Sequence, residues 1–114
     1  MEIHELASGE ILVLGLKGRL DALSADAAKQ NLLAKVTDSN PRLVLDLSQL
    51  GYVSSAGLRV FLEVSKRVTA AQGKLALCGL VRNVRQVFEL AGFASFISIY
   101  PDQDEARAGV QSST

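Results

Sequence analysis

The chain has 114 residues, 48% of them apolar, which suits one compact domain able to bury a core without metal or disulfide support. Its 12 Lys and Arg balance 12 Asp and Glu, so it carries no electrostatic footprint for nucleic acid. One cysteine, Cys78, excludes an internal disulfide, and one histidine, His4, with that cysteine cannot build a tetrahedral zinc site.

The start, Met1-Glu2-Ile3-His4-Glu5, lacks the basic and apolar regions of a secretory signal. The most apolar stretch, residues 11–16, is far short of the roughly 20 residues a spanning helix needs. The cytoplasm is the expected compartment. Residues 3–6 read as a short strand and residues 10–18 as a buried strand, with Ser8-Gly9 turning between them. Residues 23–37 read as a helix: Ser24 stands at the N-cap, and Ala28, Leu32 and Val36 recur at spacing four. Asp38-Ser39-Asn40-Pro41 ends it. Leu43-Val44-Leu45 reads as a central strand finishing at Asp46, followed by a loop.

Residues 56–72 give the clearest helical pattern. Leu58, Phe61, Leu62 and Val68 share a face that Val60 and Val64 broaden, opposite Arg59, Glu63, Lys66 and Arg67. Glu63 and Arg67 are spaced for an i, i+4 pair, and Gly73 is placed to take a left-handed stop. Residues 74–78 read as a buried strand and 81–91 as a helix stopped by Gly92. A last strand over 97–100 and a last helix over 102–108 follow, with residues 111–114 as a frayed tail. Alternating strands and helices define an α/β fold with mostly parallel pairing. The loop between the first two strands is too short for a crossover, so that pair is expected antiparallel. The sheet is therefore mixed, with helices covering it.

In open α/β sheets, binding sites gather at the carboxyl ends of strands. Two segments qualify: Gly18-Arg19-Leu20-Asp21, and the run from Asp46 through Ser54-Ser55-Ala56-Gly57-Leu58 into the long helix. Two readings stand for the serine pair. As a cap, a serine hydroxyl accepts a bond from an orphan backbone N–H. As a phosphoacceptor, a serine there would place its phosphate beside free N–H groups and a positive dipole end. The two are compatible if Ser54 caps and Ser55 faces solvent. Ala56 and Gly57 add little bulk, so a partner backbone can approach. Asp21 and Asp46 read from the residues alone as turn and strand-end chemistry.

Leu45-Asp46-Leu47-Ser48 together with Tyr52-Val53-Ser54-Ser55-Ala56-Gly57-Leu58 resembles the signature of STAS domains, specifically the bacterial anti-sigma factor antagonists. Gly18-Arg19-Leu20-Asp21, Gly73-Lys74-Leu75-Ala76-Leu77-Cys78-Gly79, and Val84 with Phe88-Glu89-Leu90-Ala91-Gly92-Phe93 extend the resemblance over nearly the whole chain. It implies a single STAS-like domain over residues 1–110, with a mixed, mostly parallel sheet of four to five strands and about four helices. It also implies a phosphorylation-controlled binding protein in partner switching. The unphosphorylated antagonist binds an anti-sigma factor, often a serine kinase of the histidine-kinase-like ATPase fold. The kinase phosphorylates and releases it, and a PP2C-type phosphatase reverses the mark.

By position, Ser55 matches the family's phosphorylated serine, and Asp21 and Asp46 match acidic positions near it. The usual Asp-Ser-Ser-Gly or Asp-Ser-Ala-Gly has Ser54 in place of its Asp, which makes Ser54 a competing acceptor. Ser54, Ser55, Ala56, Gly57, Leu58 and Arg59, with the two aspartates, form the expected partner-binding surface. The rival within the family is a constitutive docking subunit of a lipid-transport ATPase complex. Neither reading calls for a cofactor, a nucleic acid or membrane insertion. An enzyme is disfavoured: no Gly-x-Ser-x-Gly, Walker A or dinucleotide fingerprint is present, and Cys78 in its apolar strand reads as a core residue.

Overall fold

The structure, a computed structural model, describes residues 1–36 and 41–111. Five strands form one sheet in the order in which they occur in the chain: β1 (Glu2–Ala7), β2 (Leu12–Leu20), β3 (Arg42–Val53), β4 (Lys74–Cys78) and β5 (Ser98–Tyr100). The β1–β2 pair is antiparallel and the other three pairs are parallel. Sequential parallel strands with right-handed crossovers must place their connecting helices on one face. α1 (Ala25–Ala34), α2 (Ser55–Ala70) and α3 (Arg82–Leu90) lie there. They enclose the larger core, built from Leu14, Leu16, Leu20, Leu32, Leu45, Leu47, Leu50, Phe61, Val64, Leu77 and Phe88 among others. α4 (Gln103–Gln111) follows the edge strand and wraps onto the other face, where Ala106 and Val110 meet Val13, Val44, Ala76 and Cys78.

The largest departure from the sequence reading is β3. It continues seven residues past Asp46, through what reads as a loop, and pairs with β2 to its end. Two register shifts against β2, between Gly15 and Lys17 and between Gly18 and Arg19, each give β3 an extra residue. A bulge re-aims the strand. Leu45 and Leu47 are therefore buried at spacing two, but Leu50 and Val53 reach the same core at spacing three. β4 stops opposite Asp46, so the last part of β3 extends beyond the main sheet as a two-stranded ribbon with β2. Asn83 of α3 steadies that ribbon by donating its Nδ2 to the Gly51 carbonyl at 2.8 Å.

Smaller departures have local causes. Ala71 is the C-cap of α2, and the left-handed residue is Gln72 (φ 60°), not Gly73. Gly73 is needed for space: a Cβ there would collide with the Pro41 carbonyl oxygen. Gly92 does take the left-handed stop (φ 77°), and the chain then makes a 3-10 turn, Phe93–Ser95, absent from the sequence reading. On α2 the fully buried stripe is Gly57, Val60, Phe61, Val64 and Val68, while Leu58 and Leu62 are half-buried. Glu63 reaches Lys66 at 4.0 Å. Gln111 belongs to α4. α1 spans Ala25–Ala34 with Lys35 as its C-cap, shorter than the expected 23–37. The rest of the expected tail, residues 112–114, and the expected Asp38-Ser39-Asn40 turn lie outside the described residues.

Candidate functional site

The ends of β2 and β3 build the site. Val53 pairs with Leu20, and the Ser54 N–H donates to the Leu20 carbonyl at 2.9 Å. Ser54 is the last extended residue (φ −91°, ψ 178°), and the helix starts at Ser55 with no intervening loop. The Ser54 hydroxyl accepts from the Gly57 N–H at 3.2 Å, and its carbonyl accepts from the Leu58 N–H at 2.9 Å. Ser54 is thus the N-cap of α2, half-buried and engaged. Ser55 is exposed, and its hydroxyl makes no hydrogen bond among the described residues. Gly57 is required by contact. A Cβ there would stand 2.6 Å from the Leu20 carbonyl oxygen and 2.9 Å from its Cγ, so only glycine lets the first turn of α2 lie against β2.

Asp21 lies next to this turn and is occupied by local chemistry. Its Oδ1 accepts from the Leu23 N–H at 3.0 Å and the Ser24 N–H at 3.2 Å. Ser24 occupies the N-cap position of α1 but makes no side-chain cap bond; its Oγ accepts from the Asp21 N–H and donates to the Arg19 carbonyl, both at 3.0 Å. Partial desolvation works to raise the Asp21 carboxyl, but bonds from Leu23 and Ser24, with the nearby Arg19 charge, outweigh it and hold the group below the ordinary Asp value. The bonding network fixes a loop whose tip, Leu23, is 96% exposed. An exposed leucine at the tip of a hydrogen-bonded loop is a residue that sequence patterning overlooks, because it falls outside the helical apolar repeat.

The Arg19 guanidinium lies 4.2 Å from the centre of the Tyr52 ring, and its Nε is 4.0 Å from Asp21 Oδ2. Arg19 and Tyr52 are paired in the β2–β3 ribbon, a juxtaposition invisible without the two register shifts. On the other side, Ala56, Arg59, Val60 and Glu63 of α2 face Ala22, Ala25, Asp26 and Lys29 across a groove of about 290 Å³.

Asp46 does not join this group. Seven extended residues separate it from Ser54, on the order of 20 Å at about 3.3 Å per residue, and it faces α4. Its Oδ2 accepts from Gln103 Nε2 at 2.6 Å and its Oδ1 from the Ser48 N–H at 2.9 Å. The expectation of Asp46 near the acceptor is thereby corrected: the strand that reads as ending at Asp46 carries on past it. Burial works to raise the Asp46 carboxyl, but the bonds from Gln103 and Ser48 prevail and keep it below the ordinary Asp value. A carboxyl lowered by folding contributes stability above its unfolded pKa and loses it as pH falls through the folded one. Acid unfolding below about pH 4 is expected to be less steep in Asp46→Asn, as followed by urea titrations at stepped pH. Cys78, paired with Asp46, is buried; desolvation, then the charges of Asp46 and Asp102, push its thiol up to about 12, so it is no nucleophile at neutral pH.

Cap and acceptor can be separated experimentally. Ser54→Ala is expected to lose about 1 kcal/mol of stability, and Ser54→Asp, which can accept the same Gly57 N–H, to lose little. Denaturant midpoints of both variants check this. Equal losses would mean that the hydroxyl is not the cap.

The family model of the STAS domain matches residues 4–106 of this one-sheet α/β module. The chain belongs to that family. A protein of Bordetella bronchiseptica provisionally named anti-sigma factor antagonist BtrV is 41% identical over 98 residues, 86% of this chain and 84% of that one. An anti-sigma-B factor antagonist of Listeria monocytogenes is 30% identical over 99 residues, 87% of this chain and 86% of the other. The crystal structure of an anti-sigma factor antagonist from Mycobacterium paratuberculosis superposes with a TM-score of 0.87 at 25% identity, covering 97% of this chain and 94% of that one. Among the described residues no helix is long and apolar enough to cross a membrane.

Proposed function

We propose that this chain is an anti-sigma factor antagonist: a binding protein and kinase substrate, not an enzyme, switched by phosphorylation of Ser55. In the unphosphorylated state it binds an anti-sigma factor that is also a serine kinase of the histidine-kinase-like ATPase fold. The kinase transfers the γ-phosphoryl group of ATP to the Ser55 hydroxyl, leaving ADP, and the antagonist is released. A PP2C-type phosphatase hydrolyses the phosphoserine and restores binding. The cytoplasm is the compartment in which these partners would meet it.

The observation that carries this reading is the division of labour between the two serines. Ser54 spends its hydroxyl on the α2 cap, whereas Ser55 is exposed and has a hydroxyl free to react. The serine in the family's aspartate position keeps a capping oxygen, so the turn does not depend on a carboxylate. Small Ala56 leaves the acceptor open, and Asp21, Leu58 and Arg59 complete the partner-facing surface; Gly57, expected there, is buried against Leu20 and serves the packing of the turn instead. Asp46 is left out of that surface because it engages Gln103 of α4.

Incubation with the cognate kinase and ATP, followed by site-resolved mass spectrometry, tests the assignment. Phosphate on Ser55 is expected. Phosphate confined to Ser54 would mean that the capped hydroxyl is the acceptor and would overturn the reading.

A further inference from the structure

Ser55 and Arg59 stand at positions i and i+4 of α2, one turn apart on the same exposed face. Residues so placed are neighbours, about 5–6 Å between Cβ atoms, and an acidic group N-terminal to a basic one is the favoured orientation. Arg59 is an uncommitted cation: among the described residues it has no carboxylate within 4 Å and no hydrogen bond. Glu63, the acid one turn further along, reaches Lys66 instead. Of the other long cations near the site, Arg19 is held over Tyr52 near Asp21, and Lys29 of α1 lies across the groove.

We propose that Arg59 is an internal clamp for phosphoserine 55, which the guanidinium grips within the same helix once the phosphate is attached. This rests on Ser55 being the acceptor and adds a regulatory role for a second residue. A guanidinium presents paired donors that match phosphate oxygens, and charge-assisted bonds of this kind are roughly twice as strong as neutral ones. Phosphorylation then has two effects at the surface. It adds a bulky anion, and it withdraws Arg59, until then an exposed cation available to the partner. The switch needs no movement of the helix, because both groups already lie on one turn of it.

The test installs phosphoserine at position 55 by genetic encoding, without the kinase, in the full chain and in Arg59→Gln and Arg59→Lys. Phosphorus NMR follows the second ionisation of the phosphate, which lies near pH 6 for an unperturbed phosphoserine. A paired guanidinium favours the dianion, so the midpoint is expected to rise by about half a pH unit in Arg59→Gln, with Arg59→Lys in between. Asp26, Lys29 and Glu63 around the groove, Arg19 and Asp21 beside it, and the helix N-terminus also act on the phosphate, but all are common to the three proteins. The difference between variants therefore isolates Arg59. Coincident midpoints in all three would overturn the proposal. The acceptor assignment fails separately, by kinase-derived phosphate appearing elsewhere, and the encoded phosphoserine reads the Arg59 contact in either case.

Discussion

Ser55→Asp and Ser55→Glu are expected to bind the anti-sigma partner about a hundredfold more weakly than the parent, while Ser55→Ala binds at parental strength and is never released. A partner surface fitted to a neutral hydroxyl must desolvate the introduced charge, and a loss near 3 kcal/mol is about a hundredfold in affinity. The fold offers no other explanation for such a loss. Ser55 is exposed, and negative charge at the first helical position is favourable with respect to the dipole and the free N–H groups. α2 is anchored by Val60, Phe61, Val64 and Val68, none of which the side chain at position 55 replaces. Amide shifts in the acidic variants should therefore stay within the Asp21 loop and the first turn of α2. Lost hydrogen-exchange protection across α2 or β4 would mean that the switch propagates through the domain. Equal affinity of all three variants would favour the constitutive docking subunit.

Phe88→Ala should be the most damaging single truncation in the core, with about 3–5 kcal/mol of stability lost. Phe88 is fully buried, its ring 5.1 Å from that of Phe61 and 5.6 Å from that of Phe93, both edge-on. It ties α3 to α2 and to the 3-10 turn, so the vacated volume has three elements around it and no exposed side from which to refill. Domains of this kind have only about 5–15 kcal/mol in total. Urea unfolding should show a large drop in midpoint with an unchanged slope. A loss under about 1 kcal/mol would mean that the cavity collapses and that the aromatic cluster is not a keystone of the core.

Class, element order and the antiparallel first pair were legible in the sequence because they depend on runs of apolar residues and on punctuation by Gly and Pro. β4 was readable residue for residue, since Lys74–Cys78 is a short apolar run between two glycines. The second half of β3 was not. Its buried residues switch from spacing two to spacing three at the bulges, and Ser48, Gln49 and Gly51 resemble loop chemistry when the β2 partner is out of sight. The misplacement of Asp46 follows from that single error. The division of labour at Ser54 and Ser55 was foreseeable because an N-cap depends on local sequence alone. Ser24 shows the limit of that rule: the same residue type at the same position bonds backwards to Asp21 and Arg19. The Arg19–Tyr52 stack depends on a register that no local pattern encodes.

The central claim is that one phosphate on Ser55 sets partner affinity. It is tested most directly by measuring, by calorimetric titration, the affinity of one preparation for the anti-sigma kinase before and after stoichiometric phosphorylation. The nucleotide is to be ADP, so that no further transfer occurs. Binding weakened by a hundredfold or more, and regained after phosphatase treatment, is the predicted result. The same affinity in both forms, with Ser55 verified as modified, would contradict it.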